Sequence, residues 1–222
     1  MDRICSRSDL RSGASQPCSV SADKATSIIS HRTTHNWRQL GEYLNTLIGM
    51  RKKAHAAGLW MPHMPKEWGG MGLGHVQLAM VQAEAAKASY GPWVLNCQAP
   101  DEGNMHLLSE VATLAQKQEF LRPLATGVHR SCFGMTEPIP GAGSDPGMLS
   151  TQAVWDGQHY VISGRKWLIT GAHEAGFMIL MAQTIVDGSA IGATMFLVPL
   201  PHPACPPPNR PNPTTASPPA AA

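Results

Sequence analysis

"SCFGMTEPIPGAGSDPGM", residues 131–148, is where the character of the chain changes. Before it the apolar residues recur at helical spacing. After it they fall into short runs rich in β-branched and aromatic residues, bounded by Gly or Asp-Gly. The stretch itself passes from an apolar run into Thr, Glu and Pro, and then into a glycine-rich bend that ends in Ser and Asp. Small residues there let a ligand approach the backbone, and exposed N–H groups in such a bend can receive phosphate oxygens. The bend is neither a GxGxxG fingerprint nor a Walker loop, because no Lys-Ser or Lys-Thr follows the glycines. Composition alone leaves a structural loop and a ligand loop both open.

Upstream, Leu40, Tyr43, Leu44, Leu47 and Ile48 lie on one helical stripe, which ends at "AAGLWMPHMP". "HVQLAMVQAEAAKASY" is alanine-rich and breaker-free, a second helix stopped by Gly91-Pro92. Leu107, Leu108, Val111, Leu114 and Ala115 form a third stripe. "PKEWGG", 65–70, reads as a turn between helices. Downstream, "STQAVW", "HYVISG", "KWLITG", "GFMILMAQT" and "ATMFLVPL" read as strands, and "WDGQH" at 155–159 as a tight hairpin turn. A helical block followed by a β block predicts an α+β chain, with a helical N-terminal domain and an antiparallel, barrel-like or sandwich β domain. The boundaries predicted are a disordered segment at 1–36, the helical domain at 37–127 and the β domain at 128–200. A proline-rich disordered tail at 201–222 follows, with nine prolines in 22 residues and no carboxylate.

The 222 residues carry a formal net charge of +2 and 43% apolar residues, which suits a globular fold and gives no electrostatic reason to expect nucleic acid. "MRKKAH", 50–55, reads as a solvated helix face. No run reaches the roughly 18 apolar residues of a membrane span. The five cysteines are odd in number and widely spaced, so a reducing compartment is expected, with Cys97 and Cys132 as buried filler. The ten histidines include no HExxH and no metal-spaced cluster. Ser144 lacks a GxSxG elbow, and Glu137 and Asp145 lie eight residues apart on a loop, which offers no paired-carboxylate chemistry. In "GRKWLITGA", 164–172, strand alternation would put Trp167 and Ile169 on one face and Leu168 and Thr170 on the other.

Taken together, "GLWMPHMPKEWGG" (58–70), "NCQAPDEGNM" (96–105), "MTEP" with "GAGSD" (135–145) and "ISGRKWLITGA" (162–172) resemble the acyl-CoA dehydrogenase family. The 96–105 motif resembles the branch that includes large animal proteins and many bacterial homologues. The resemblance spans about 37–200 and implies FAD as cofactor and acyl-CoA thioesters as substrate. It further implies that Phe133, Met135 and Thr136 run along the flavin, that Ser144 lies near the pyrophosphate and the CoA portion, and that Leu168, Ile169 and Thr170 form the family's flavin-contacting segment, with Thr170 close to the flavin N5 and O4. Two departures stand out: Ile139-Pro140 lengthens the usual spacing between "TEP" and "GAGSD", and Leu168 stands where many members have tryptophan. Family members continue into a four-helix bundle, which in most carries the glutamate that removes the substrate α proton. No carboxylate of 1–200 is assigned to that post, and no residue is assigned as catalytic or as a metal ligand.

The resemblance therefore implies an FAD-dependent oxidoreductase of the acyl-CoA dehydrogenase type, impaired or inactive as this fragment. A noncatalytic flavin-binding or interaction fragment, and a flavin monooxygenase-like relative, remain alternatives. An electron-transfer flavoprotein is the acceptor expected of the intact parent. A homo-oligomer and a cytoplasmic location (mitochondrial matrix in a eukaryote) complete the expectations.

Overall fold

The computed structural model describes residues 37–200, with side chains from Asn45 onward, and the backbone of two short strands ahead of them. The rest of 1–36 and all of 201–222 lie outside the described residues, as do the side chains of Leu40, Tyr43 and Leu44. The helical part comprises α1 (Trp37–Ala56), α2 (His75–Ala85), α3 (Asp101–Val111) and α4, a helix over 114–125 with a π turn at Lys117–Leu121. Gly91–Val94 adds a single turn. "PKEWGG" forms the expected turn, a 3-10 helix over Lys66–Trp68 closed by Gly69 at φ 83°.

The third stripe is broken where the sequence reading ran it through. Ala112 is extended, and Thr113 starts a new helix with a capping box to Gln116. Leu114 is consequently exposed, and the buried face of α3 is Asp101, Asn104, Met105 and Leu108. No residue of α2 is buried, so its alanine-rich propensity does more for that helix than packing does. At its end Gly91 is required, since a Cβ there would meet the Ala85 carbonyl oxygen at 1.9 Å.

The strands are β1 (Ile4–Cys5), β2 (Leu10–Arg11), β3 (Arg130–Gly134), β4 (Gln152–Trp155), β5 (Tyr160–Ser163), β6 (Ala175–Val186) and β7 (Ser189–Pro199). They form one open sheet in the order β1-β7-β6-β4-β5-β2, with β3 also on β6. The expected all-antiparallel arrangement is corrected: β3 and β4 both run parallel to β6, while β4–β5 and β6–β7 are antiparallel. Nor does the sheet close into a barrel; it is a mixed layer. Both hairpin turns use Asp-Gly, as the first was predicted to. Gly157 stands at φ 99° in one, and Asp187 and Gly188 at 50° and 76° in the other.

β6 is the central strand. One edge pairs with β7 throughout, while the other is shared, by β3 up to Gly134↔Leu180 and by β4 from Gln152↔Gln183. The chain leaves β6 after residue 134 and returns at 152, so the glycine-rich loop emerges where one neighbour is exchanged for another. Alternation along β6 sorts the two cores. Phe177 and Ile179 join Trp60, Met61, Met64, Met105, Leu108 and the α4 residues Phe120, Leu121 and Leu124 beneath the helices. Met178, Leu180 and Ala182 pack on the opposite face with Cys132, Ala153, Ile169 and Phe196.

Candidate functional site

The loop that leaves β3 is organised around Glu137. Its carboxylate is buried at 2% exposure and accepts hydrogen bonds from the amides of Ser150 (2.7 Å), Thr151 (2.9 Å) and Ala142 (3.3 Å). It also accepts from the Lys166 ammonium at 2.8 Å, and Lys166 is itself fully buried. Burial pushes this carboxyl up, but the bonds from Lys166, Thr151 and Ser150 outweigh it and hold the group down at about 2. The backbone of Glu137 pairs with Gly143 across the loop. That bridge closes a projecting turn that contains Ile139 and Pro140, in which Ile139 is 90% exposed. Asp145 works apart from it, accepting the Gly147 amide at 2.8 Å and capping the 3-10 turn Pro146–Met148. The two acids do not act as a pair, as their spacing implied.

The second motif lies against the first. Trp167 N–H donates to the Thr136 carbonyl at 3.1 Å, and Lys166 Nζ donates to the Met135 carbonyl at 2.9 Å. Residues 164–172 are a loop and turn, not the expected strand, because Leu168 adopts φ 53° and breaks the extended run. The expected alternation holds only in part: Ile169 is buried in the sheet core and Leu168 and Thr170 are exposed, but Trp167, expected on the face of Ile169, is exposed as well, since the chain here is not extended. Gly164 is needed at the start of the loop, since a Cβ there would meet the Thr151 side chain at 2.3 Å.

The structure thus places Phe133, Met135 and Thr136 half-buried at the end of β3 and just beyond it. It sets Leu168, Ile169 and Thr170 in the adjoining loop, and Ser144 at the exposed tip of the glycine-rich bend. Residues 133–136 and 168–170 are brought together through Thr136 and Trp167. Ser144 stands apart from both groups.

Sequence reasoning missed what fixes β3. Asp101, 2% exposed at the start of α3, accepts both the Ser131 amide (2.8 Å) and the Ser131 hydroxyl (2.7 Å) and pairs with Arg130. Asn104 Nδ2 donates to the same hydroxyl at 2.9 Å. The "PDEGN" part of the 96–105 motif therefore ties a helix to the first two residues of the strand that leads into the site. Arg51 was also misread. Instead of joining a solvated run with Lys52 and Lys53, its guanidinium lies over the Trp60 and Trp93 rings at 4.7 and 4.4 Å and donates to Asn96 at 3.1 Å. Burial, with Arg130 nearby, lowers its pKa to about 10. Cys97 and Cys132 are buried free thiols, pushed up by burial to about 11 and 12, and so serve as inert filler.

A helical layer on a mixed sheet, with a glycine-bordered loop leaving the strand beside the central one, is the arrangement of the first two domains of an acyl-CoA dehydrogenase. The chain belongs to that family: its N-terminal domain model matches residues 26–128 and its middle domain model matches 132–215. Both matches reach past the boundaries drawn from composition at 37 and 200. Acyl-CoA dehydrogenase family member 11 of Gallus gallus is 41% identical over 123 residues, which is 55% of this chain and 15% of that protein. A Mycobacterium abscessus protein assigned to the acyl-CoA dehydrogenases superposes with a TM-score of 0.65 at 37% identity, over 71% of this chain and 39% of its own. A glutaryl-CoA dehydrogenase of Mycobacterium smegmatis, solved in complex with FADH2, gives 0.53 at 26% identity, over 81% and 45%. The chain spans less than half the length of each of these relatives.

Proposed function

We propose that this chain is the flavin-positioning part of an FAD-dependent oxidoreductase that acts on acyl-CoA thioesters. The observation that carries the reading is the Trp167–Thr136 bond, which sets two motifs some thirty residues apart side by side at the end of the central sheet. The residues fit the group. Leu168 leaves 54% of its surface exposed beside the exposed Thr170, and Thr136 lies next to the same loop, so an apolar surface bordered by hydroxyls meets the needs of a flat ring with a polar edge. Phe133, Met135, Thr136 and Leu168–Thr170 would hold that ring. Ser144 and the open backbone around Gly143, whose φ is 56°, would face the pyrophosphate and the CoA portion.

Bound there, FAD would supply the hydride-accepting chemistry of thioester α,β-dehydrogenation. What the chain contributes is orientation and polar contact at the ring edge. Glu137 is unsuited to accept the α proton, since a carboxyl held at about 2 by four donors is a poor base at neutral pH. The base, an electron-transfer flavoprotein as acceptor and assembly with further copies are assigned to the parent architecture by resemblance.

The test is a titration of the purified chain with FAD, followed by anaerobic addition of a long-chain acyl-CoA. Retention of a visible flavin band that stays oxidised supports a positioning domain. Bleaching would show that a base is supplied from within the chain, against the reading of Glu137, and failure to retain flavin would sink the proposal.

A further inference from the structure

The strongest unexplained feature is a buried charge pair that sits behind the candidate flavin surface without forming part of it. Glu137 and Lys166 are 2% and 1% exposed at their side chains. An ion pair so deeply buried does not recover its desolvation cost from mutual attraction alone, and an apolar pair of similar volume is often as stable. Its partners suggest what it does. The Lys166 ammonium reaches the Met135 carbonyl on one loop while its own backbone belongs to the other. The next residue, Trp167, repeats the link through the Thr136 carbonyl. The Glu137 carboxylate in turn gathers the amides of Ala142, Ser150 and Thr151, so both the glycine-rich bend and the return to β4 are tied to the same point.

We propose that Lys166 and Glu137 are positioning residues that lock residues 133–136 and 168–170 into one rigid ligand-facing surface. The inference rests on the flavin reading above but makes a separate claim: the pair sets the relative position of the two segments, and with it the affinity for the ring. The partners are unequal. Without the ammonium, Glu137 still has three amide donors, whereas without the carboxylate Lys166 loses the anion that balances its buried charge. Lys166→Met alone is therefore the milder change and Glu137→Gln the harsher. The double variant removes both charges and so escapes the penalty of an unpaired one, although Gln offers one acceptor oxygen in place of two and leaves part of the amide cradle without its acceptor.

The experiment uses the full chain as wild type, Lys166→Met, Glu137→Gln and the double variant. Three readouts are taken: thermal unfolding without flavin, hydrogen exchange of the Trp167 amide, and FAD affinity by fluorescence quenching. The expected pattern is a split. The double variant recovers most of the stability lost in Glu137→Gln, yet binds FAD about tenfold more weakly than wild type and exchanges the Trp167 amide faster, since a thioether in place of the ammonium cannot hold the Met135 carbonyl. Purely structural pairing would instead move affinity and unfolding together, and a double variant with wild-type affinity and exchange overturns the proposal. If the wild-type chain binds no FAD, the flavin reading fails; the exchange of Trp167 then still decides whether the pair locks the loops.

Discussion

His63 shows how much one side chain can cost when its neighbours are apolar. The ring is 5% exposed within "WMPHMP", neither nitrogen has a hydrogen-bond partner among the described residues, and the nearest ring is His106 at 5.2 Å. Burial, with a smaller contribution from His106, lowers its pKa from 6.5 to about 4. The folded state then refuses a proton that the unfolded chain accepts below 6.5, so stability falls as pH drops from 6.5 toward 4, by about 2–3 kcal/mol across that window. His63→Phe keeps an edge-on ring and removes the proton. Its denaturation midpoint should be nearly flat over the same interval, while the wild type slopes; parallel slopes would show that other groups carry the acid sensitivity. Glu137 has the same sign in a lower window. Its pKa is depressed, so its contribution is present above the ordinary carboxylate range and is lost only as pH falls toward 2.

At the scale of elements, what was legible in the sequence was local. The Asp156-Gly157 turn is read from its dipeptide, while the capping box at Thr113–Gln116, though written locally as T-x-x-Q, is hidden by the apolar stripe that runs through it. The helix-to-strand switch near 128 follows from periodicity. The direction of β3 and β4 along β6 was not legible, because parallel or antiparallel pairing depends on how the 135–151 loop crosses and not on any residue within the strands. Of the candidate site, the family motifs identified the two segments. Alternation grouped Trp167 with Ile169, which the turn at Leu168 separates, and the Lys166–Glu137 and Asp101–Ser131 contacts join residues 29 to 30 positions apart and leave no local signature. That difference has an energetic consequence. Thr113→Ala removes one cap and should cost about 1 kcal/mol. Asp101→Ala strips a buried strand end of its acceptor and leaves Arg130 without its anion, and should cost about 3 kcal/mol. Urea titrations of the two variants check the ranking, and equal losses would mean that the α3–β3 tie is dispensable.

For the whole molecule, the decisive fact is that helices and sheet share one core. Phe177 and Ile179 from β6 and Leu197 from β7 pack in the same cluster as Trp60, Met105, Leu108 and the α4 residues, and Phe120 meets Phe177 edge-on at 5.1 Å. Neither layer can lose the other without exposing that face, so the two family domains should unfold here as a single cooperative unit. The helical signal in far-ultraviolet circular dichroism and the fluorescence of the six tryptophans, among them Trp60 beneath the helices, Trp155 in β4 and Trp167 in the site loop, should share one midpoint. Phe177→Ala, at a site 3% exposed, opens a cavity on the boundary and should cost about 3–5 kcal/mol, a large fraction of a typical domain's stability. Because the cavity lies between the layers, both probes should shift to lower denaturant by the same amount. Separate midpoints in the wild type, or a Phe177→Ala shift confined to one probe, would show two independent domains and would move the flavin surface, which stands on β3 and the 164–172 loop, onto the sheet alone.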